Sequence, residues 1–225
     1  MAKKNKTEEQ FVQVEQALGK TEQYIEDNQK SLMLIIGVIV AIIIIFKSYQ
    51  NFYIAPLEEE AQIEMYMAEL YFQKDSFEIA LNGDGQYLGF LDIADDFSST
   101  NVGMLANYYA GLCYLNTNDF ENAIDLFQSF SSNDIILSSL ALGCTGDAYL
   151  ELGNYERAID LYEDAIDNSA NNFTAPRYMM KLAMLYESKE NYSDALEIYK
   201  SIKLDFKDSN EAASIEKFIA RAENR

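Results

Sequence analysis

The sequence predicts an all-α protein: a single N-terminal transmembrane helix, then an α-solenoid of stacked helix pairs, then a C-terminal capping helix. Three observations carry this expectation. Residues Leu32 to Phe46 read LMLIIGVIVAIIIIF without one polar group. Further along, one pattern of small and aromatic residues recurs, with its tyrosines at 114, 149 and 186. Breakers are scarce, with 2 Pro and 10 Gly among 225 residues, as suits a helical chain.

Charge and composition remove several functions. The 37 acidic residues outnumber the 17 basic ones for a net charge of −20, which disfavours nucleic acid and anionic lipid surfaces. With no His, no Ser-His-Asp or Cys-His nucleophile can be built, and the commonest transition-metal ligand is missing. The excess is local. Residues 1–55 and 168–225 each balance, whereas residues 56–167 hold 22 acids against Lys74 and Arg157.

In chain order, residues 1–30 read as a cytoplasmic amphipathic helix. Phe11, Val14, Leu18, Thr21, Ile25, Asn28 and Leu32 alternate at spacings of three and four, a seam that docks on a partner, lies at the membrane, or is only a fraying lead-in. Residues 31–54 read as a transmembrane signal anchor. The apolar run spans only about 22 Å as helix, but Tyr49, Phe52, Tyr53 and Ile54 extend it with side chains suited to headgroup depth. A cleaved signal peptide fits poorly, because some thirty charge-balanced residues precede the run and no small-residue cleavage site follows. Lys3, Lys4, Lys6, Lys20 and Lys30 precede the span, and after Lys47 the next base is Lys74. The positive-inside bias then leaves the N-terminus cytoplasmic and residues 55–225 across the membrane, in the periplasm of a bacterium. Ala55-Pro56 marks a break.

Past the break, ANYYAGLCYLNTNDFENAIDLF, LGCTGDAYLELGNYERAIDLY and YMMKLAMLYESKENYSDALEIY align. A small residue (Gly111, Gly146, Ala183) stands three before a Tyr (Tyr114, Tyr149, Tyr186). An aromatic (Phe120, Tyr155, Tyr192), an Ala (Ala123, Ala158, Ala195) and a second aromatic (Phe127, Tyr162, Tyr199) follow at fixed distances. Ala68, Tyr71, Phe77 and Ala80 form a weaker upstream copy. Helix pairs of this size cannot bury an apolar face alone and so must stack. The pattern resembles the tetratricopeptide repeat, with a degenerate first repeat at about 61–100 and others at about 104–138, 139–173 and 176–208. The usual repeat-end Pro is missing from every copy. Residues 81–97 are an insertion read as a turn; its Asn82-Gly-Asp-Gly stretch lacks the ligand spacing of a calcium loop. Residues 209–224 read as the cap, apolar along Ala212, Ile215, Phe218, Ile219 and Ala222, with Asp208 and Glu211 as its start signal.

The repeat resemblance implies a protein-binding groove lined by the first helix of each pair. Its positions fall on Met65, Glu69 and Phe72, then Leu105, Tyr108, Leu112 and Leu115, then Leu140, Asp147 and Leu150, then Arg177, Met180 and Met184. The lining is apolar and Met-rich and lacks a cationic clamp for a peptide C-terminus, which suits a partner helix or a non-native hydrophobic segment, or else the extra helix or a neighbouring repeat covers individual positions. Cys113 and Cys144 read as small buried hydrophobes, offset by about a turn and so poorly placed for a disulfide. Asp95-Asp96 and Glu163-Asp164 read as solvated faces. No catalytic centre, metal, cofactor or small-molecule substrate is expected.

The whole plan, with LEEEAQIEMYMAELYF after the anchor and FSSTNVGMLANYYAGLCYL entering the stack, resembles the YfgM-like ancillary subunit family of the Sec translocon. That resemblance implies an inner-membrane protein associated with the SecYEG channel and a PpiD-like chaperone, assisting secreted polypeptides. A scaffold for another envelope or secretion complex and a stand-alone periplasmic holdase are the other readings.

Overall fold

The computed structural model describes residues 27–225. Of the seam expected over residues 1–30, only its last members, Asn28 and Leu32, fall among the described residues. The chain divides into two units, Met1–Pro56 and Leu57–Arg225.

In the first unit, α1 (Gln29–Tyr49) is 21 residues long, about 31 Å at 1.5 Å per residue and so equal to a hydrocarbon core of ~30 Å. None of its side chains is buried, and Leu34, Ile42 and Ile45 are 67%, 61% and 69% exposed. The helix is long and apolar enough to cross a membrane. Ala55-Pro56 does not break the helix as expected. Proline has no N–H, and its ring crowds the carbonyl one turn back. The ladder widens instead into a π-helical segment, Gln50–Ile54, in which the Ala55 N–H reaches back five residues to the Gln50 carbonyl. Helix α2 (Ala55–Gln73) follows without a loop.

The second unit is all helical among the described residues: α2, α3 (Phe77–Asn82), α4 (Phe90–Asp96), α5 (Asn101–Asn116), α6 (Phe120–Ser129), α7 (Ile135–Glu151), α8 (Tyr155–Asn168), α9 (Ala175–Ser188), α10 (Tyr192–Asp205) and α11 (Ile215–Glu223). Pairs α2/α3, α5/α6, α7/α8 and α9/α10 are the repeats. One turn joins each pair. Four residues after each repeat tyrosine stands a residue with positive φ: Asp75 at 56°, Asn118 at 62°, Gly153 at 76° and Glu190 at 62°. The next residue's N–H returns to the tyrosine carbonyl at 3.0, 2.9, 2.9 and 2.9 Å, from Ser76, Asp119, Asn154 and Asn191. This bond satisfies a helix-end carbonyl and aims the second helix back along the first. Asp119 and Asn154 then cap the second helix by accepting from the Asn122 and Arg157 N–H groups.

Small residues let the helices approach aromatic rings. A Cβ on Gly111 would lie 2.7 Å from the Phe127 ring, and one on Gly146 would lie 2.8 Å from the Tyr162 ring. The rings fill the space a larger side chain would claim, and Tyr162, Tyr178 and Tyr199 are each at most 1% exposed. Between α2 and α5 the core is aromatic. Phe72 meets Phe77 and Tyr109 edge-on at 5.4 and 5.3 Å, and Phe90 stacks on Tyr109 at 5.1 Å.

The insertion is more than a turn. Its second half is helix α4, whose Phe90, Ile93 and Ala94 are buried, with buried Phe97 at its C-cap continuing the helical spacing. In its first half Asp84 accepts from the Gln86 and Tyr87 N–H groups at 2.8 Å and from the Tyr71 hydroxyl at 2.7 Å. Its carboxylate organises the loop, and the Tyr71 hydroxyl holds its pKa below the ordinary value. Glu58 of α2 ties α5 to the stack: its two oxygens accept from Asn101 N at 2.8 Å and Val102 N at 3.2 Å, beside the Thr100 N-cap. The cap starts later than Asp208 and Glu211 suggested. Buried Ser209 accepts from the Ala212 N–H, a 3-10 turn spans Ala212–Ser214, and α11 follows. Its apolar side rests on α10, and Lys200–Glu223 (3.1 Å) and Lys203–Glu216 (2.6 Å) pin its edges.

Candidate functional site

Each first helix carries its side chains in a fixed register, so distance from the repeat tyrosine defines columns that run along the stack. Two residues before it stand Glu69, Leu112, Asp147 and Met184; one after it stand Phe72, Leu115 and Leu150. From these columns Leu115 (α5), Asp147 and Leu150 (α7) and Met184 (α9) converge on an open cleft of about 650 Å³.

The floor of the cleft is an ion pair that sequence reasoning missed. Lys181 Nζ lies 2.6 Å from both Asp147 carboxylate oxygens, and the Tyr162 hydroxyl donates to Asp147 Oδ1 at 2.7 Å. The pair is largely sheltered, with side chains 35% and 22% exposed, and the two charges neutralise each other in a wall that is apolar at Leu115, Phe120, Leu150, Met184 and Leu185 and polar at Asn118, Glu151 and Ser188. Lys181 had left no signal in the projected columns, because it stands five residues before its tyrosine, one turn from Met184. Lys181 adds a cation to the projected Arg177, and it is already paired with Asp147. Tyr162 stacks on Tyr178 with centroids 6.1 Å apart, and the Tyr178 hydroxyl donates to the Leu140 carbonyl at 3.2 Å. Burial, helped for Tyr162 by Asp147, pushes both hydroxyls above their ordinary pKa.

The remaining projected residues disperse. Met65 and Tyr108, at 4% and 8% exposed, belong to the core and not to a groove. Both stand six residues before the repeat tyrosine, as does Gly143, and that column faces the neighbouring helix: a Cβ on Gly143 would lie 1.9 Å from Tyr178 Cε1. Tyr108 packs on the Phe127 and Phe130 rings at 5.8 and 5.5 Å. Phe72 is half-buried in the aromatic core and Glu69 is half-buried beside it. Leu105 lines a second cleft of about 470 Å³ with Glu58 and Phe130. Leu112 and Leu140 are half-buried against the α5–α7 core, Met180 packs toward the C-terminal core, and Arg177 is exposed. Cys113 is buried and Cys144 half-buried, both as free thiols. Burial pushes Cys113 up to about 12 and Cys144 up to about 11, away from the thiolate a nucleophile needs. Among the described residues no group of three metal-ligating side chains forms.

Tetratricopeptide-repeat family models match residues 105–134 and 145–211. These two segments carry tetratricopeptide repeats. A crystal structure from Podosopora anserina, described as a kinesin light chain with nearly identical TPR-like repeats, superposes with a TM-score of 0.56 at 12% identity. It covers 74% of this chain and 87% of that one. A crystal structure of MamA aligns at 18% identity over 70% of this chain and 92% of its own, with a TM-score of 0.48. No curated protein sequence matches the chain. The likeness at 12% identity shows the fold. Tetratricopeptide repeats are in general surfaces for protein partners, and the described cleft lies on the helices that supply such surfaces.

Proposed function

We propose that the protein is a membrane-anchored, non-enzymatic protein–protein interaction module whose cleft between α5, α7 and α9 holds an apolar stretch of a polypeptide. The observation that carries this reading is the cleft itself: Leu115, Leu150 and Met184, from three successive first helices, surround an ion pair already neutralised by its own partner. A wall that combines Leu115, Leu150, Leu185 and an adaptable Met184 with polar Asn118, Glu151 and Ser188 favours side chains of varied shape over one fixed sequence. Of the other projected residues, exposed Arg177 is the one free to meet a longer polypeptide, while Leu112, Leu140, Met180, Leu105, Glu69 and Phe72 lie outside the cleft.

The finer assignment rests on resemblance and on lysine placement. In it, α1 is a single-pass anchor in a bacterial inner membrane, the N-terminus is cytoplasmic and the repeats are periplasmic. The partners are the SecYEG channel, a PpiD-like chaperone and the secreted chain itself. Affinity purification from detergent-solubilised membranes tests it. Recovery of the Sec channel supports the assignment; recovery of envelope-assembly proteins alone contradicts it and leaves the scaffold reading. Met184→Glu, at a side chain 48% exposed, should abolish capture of the polypeptide while leaving helicity unchanged. Full capture by that variant would reject the cleft as the site.

A further inference from the structure

Three columns of the first helices are sealed within the stack. Eight, four and one residues before the repeat tyrosine, α5, α7 and α9 carry Ala106, Ala141 and Tyr178; Ala110, Thr145 and Leu182; Cys113, Ala148 and Leu185. All nine are buried. They form the seam on which each helix pair packs against the pair before it. The same columns of α2 hold Ile63, Met67 and Leu70, with Tyr66 beside them. Here Ile63 is 74% and Tyr66 64% exposed, and Met67 and Leu70 are only half-buried. The opposite side of α2, with Ala61, Met65 and Ala68, is already packed in the core. The two ends of the stack thus differ. At the C-terminal end α11 closes the seam and turns Glu216, Lys217 and Glu223 outward, the polar finish that terminal elements of a solenoid need. At the α2 end the seam is apolar and uncovered by any other of the described residues.

We propose that this open seam, Ile63–Tyr66–Met67–Leu70, docks an amphipathic helix with basic flanking residues from a partner protein. The spacing of three and four is that of a surface made to receive a helix. Charge selects the partner. Glu59, Glu60 and Glu64 border the stripe, none of the five ion pairs among the described residues involves α2, and no base lies between Lys47 and Lys74. A second copy of α2 would set these carboxylates against one another, whereas Lys or Arg at the edges of an incoming helix would pair with them. The proposal is independent of the cleft described above, because the stripe and the cleft share no residue.

Fluorescence anisotropy with the full chain in detergent micelles tests it. The probe is a labelled three-heptad synthetic peptide with Leu at positions a and d and Lys at e and g, compared with a scrambled peptide of the same composition. The heptad peptide should bind the wild-type chain at least tenfold more tightly than the scrambled one, and less tightly as salt rises. Ile63→Glu with Tyr66→Glu, both at exposed sites that leave the core intact, should lower affinity at least tenfold with an unchanged circular dichroism spectrum. Glu59→Lys with Glu64→Lys should weaken binding without touching the stripe, and Met184→Glu should leave it unchanged. Equal binding of both peptides, or an affinity within twofold of wild type in the stripe variant, overturns the proposal. So does photo-crosslinking from position 66 in membranes that yields a dimer of this chain.

Discussion

Gly143→Ala is the smallest change that reaches the packing principle of the stack. The added methyl carbon would lie 1.9, 2.0 and 2.6 Å from Cε1, Cζ and Cδ1 of Tyr178. The ring cannot retreat, because it is 1% exposed, stacks on Tyr162 and is held at its hydroxyl by the Leu140 carbonyl. Overpacking of this kind costs about 1–3 kcal/mol, and displacing the ring forfeits part of an aromatic pair and a hydrogen bond worth about 1 kcal/mol each. Alanine's better helix propensity returns about 1 kcal/mol. The net is a loss of about 2 kcal/mol, or some 4–8 °C in Tm for a unit of this size. The chain has 16 Tyr and no Trp, so near-ultraviolet circular dichroism follows the tyrosine core directly during urea or thermal unfolding. A midpoint equal to wild type, or raised as helix propensity alone would have it, would refute the reasoning.

Glu190→Gly should raise stability by up to ~1 kcal/mol, because a φ of 62° costs glutamate more than the entropy that glycine loses; a lowered urea midpoint would contradict the turn geometry. Cys113 and Cys144 should resist iodoacetamide at pH 8 in the folded chain and react once urea unfolds it, and rapid labelling of the folded chain would show the thiols are not held neutral by burial. Stability should fall as pH rises from about 9 through 11. The folded thiols titrate near 12 and 11 against an ordinary 9.0, so the unfolded chain gives up its protons first, and the buried tyrosine hydroxyls act in the same direction. A flat urea midpoint across that range would contradict it.

The repeats were legible in the sequence because their chemistry is periodic: a small residue three before a tyrosine and an alanine nine after it describe a close helix approach in any copy. The turn was legible only in part. Gly153 and Asn118 are residues that accept positive φ, whereas Glu190 is not, and its role follows from its place after Tyr186 and not from its type. Helix α4 was passed over because seven residues make a short signal, although Phe90, Ile93, Ala94 and Phe97 carried the right spacing. Among groove residues the limit was direction. Met65 and Tyr108 sit one residue off columns that face the cleft, and a helix turns 100° per residue; Gly143 in the same column was the clue that this face meets another helix. The Lys181–Asp147 pair joins residues 34 apart, a contact that only the superposition of successive repeats brings within 2.6 Å.

Photo-crosslinking from the cleft tests the central claim most directly. Benzoylphenylalanine in place of Met184, on the rim of the cleft, is compared in the membrane-inserted chain with the same group in place of Asp160, an exposed residue of α8 away from the cleft. Polypeptide adducts from position 184, absent from position 160 and lost when Leu115→Glu is added, are the predicted result. No adduct from position 184, or the same adducts from both positions, would contradict a polypeptide-binding cleft.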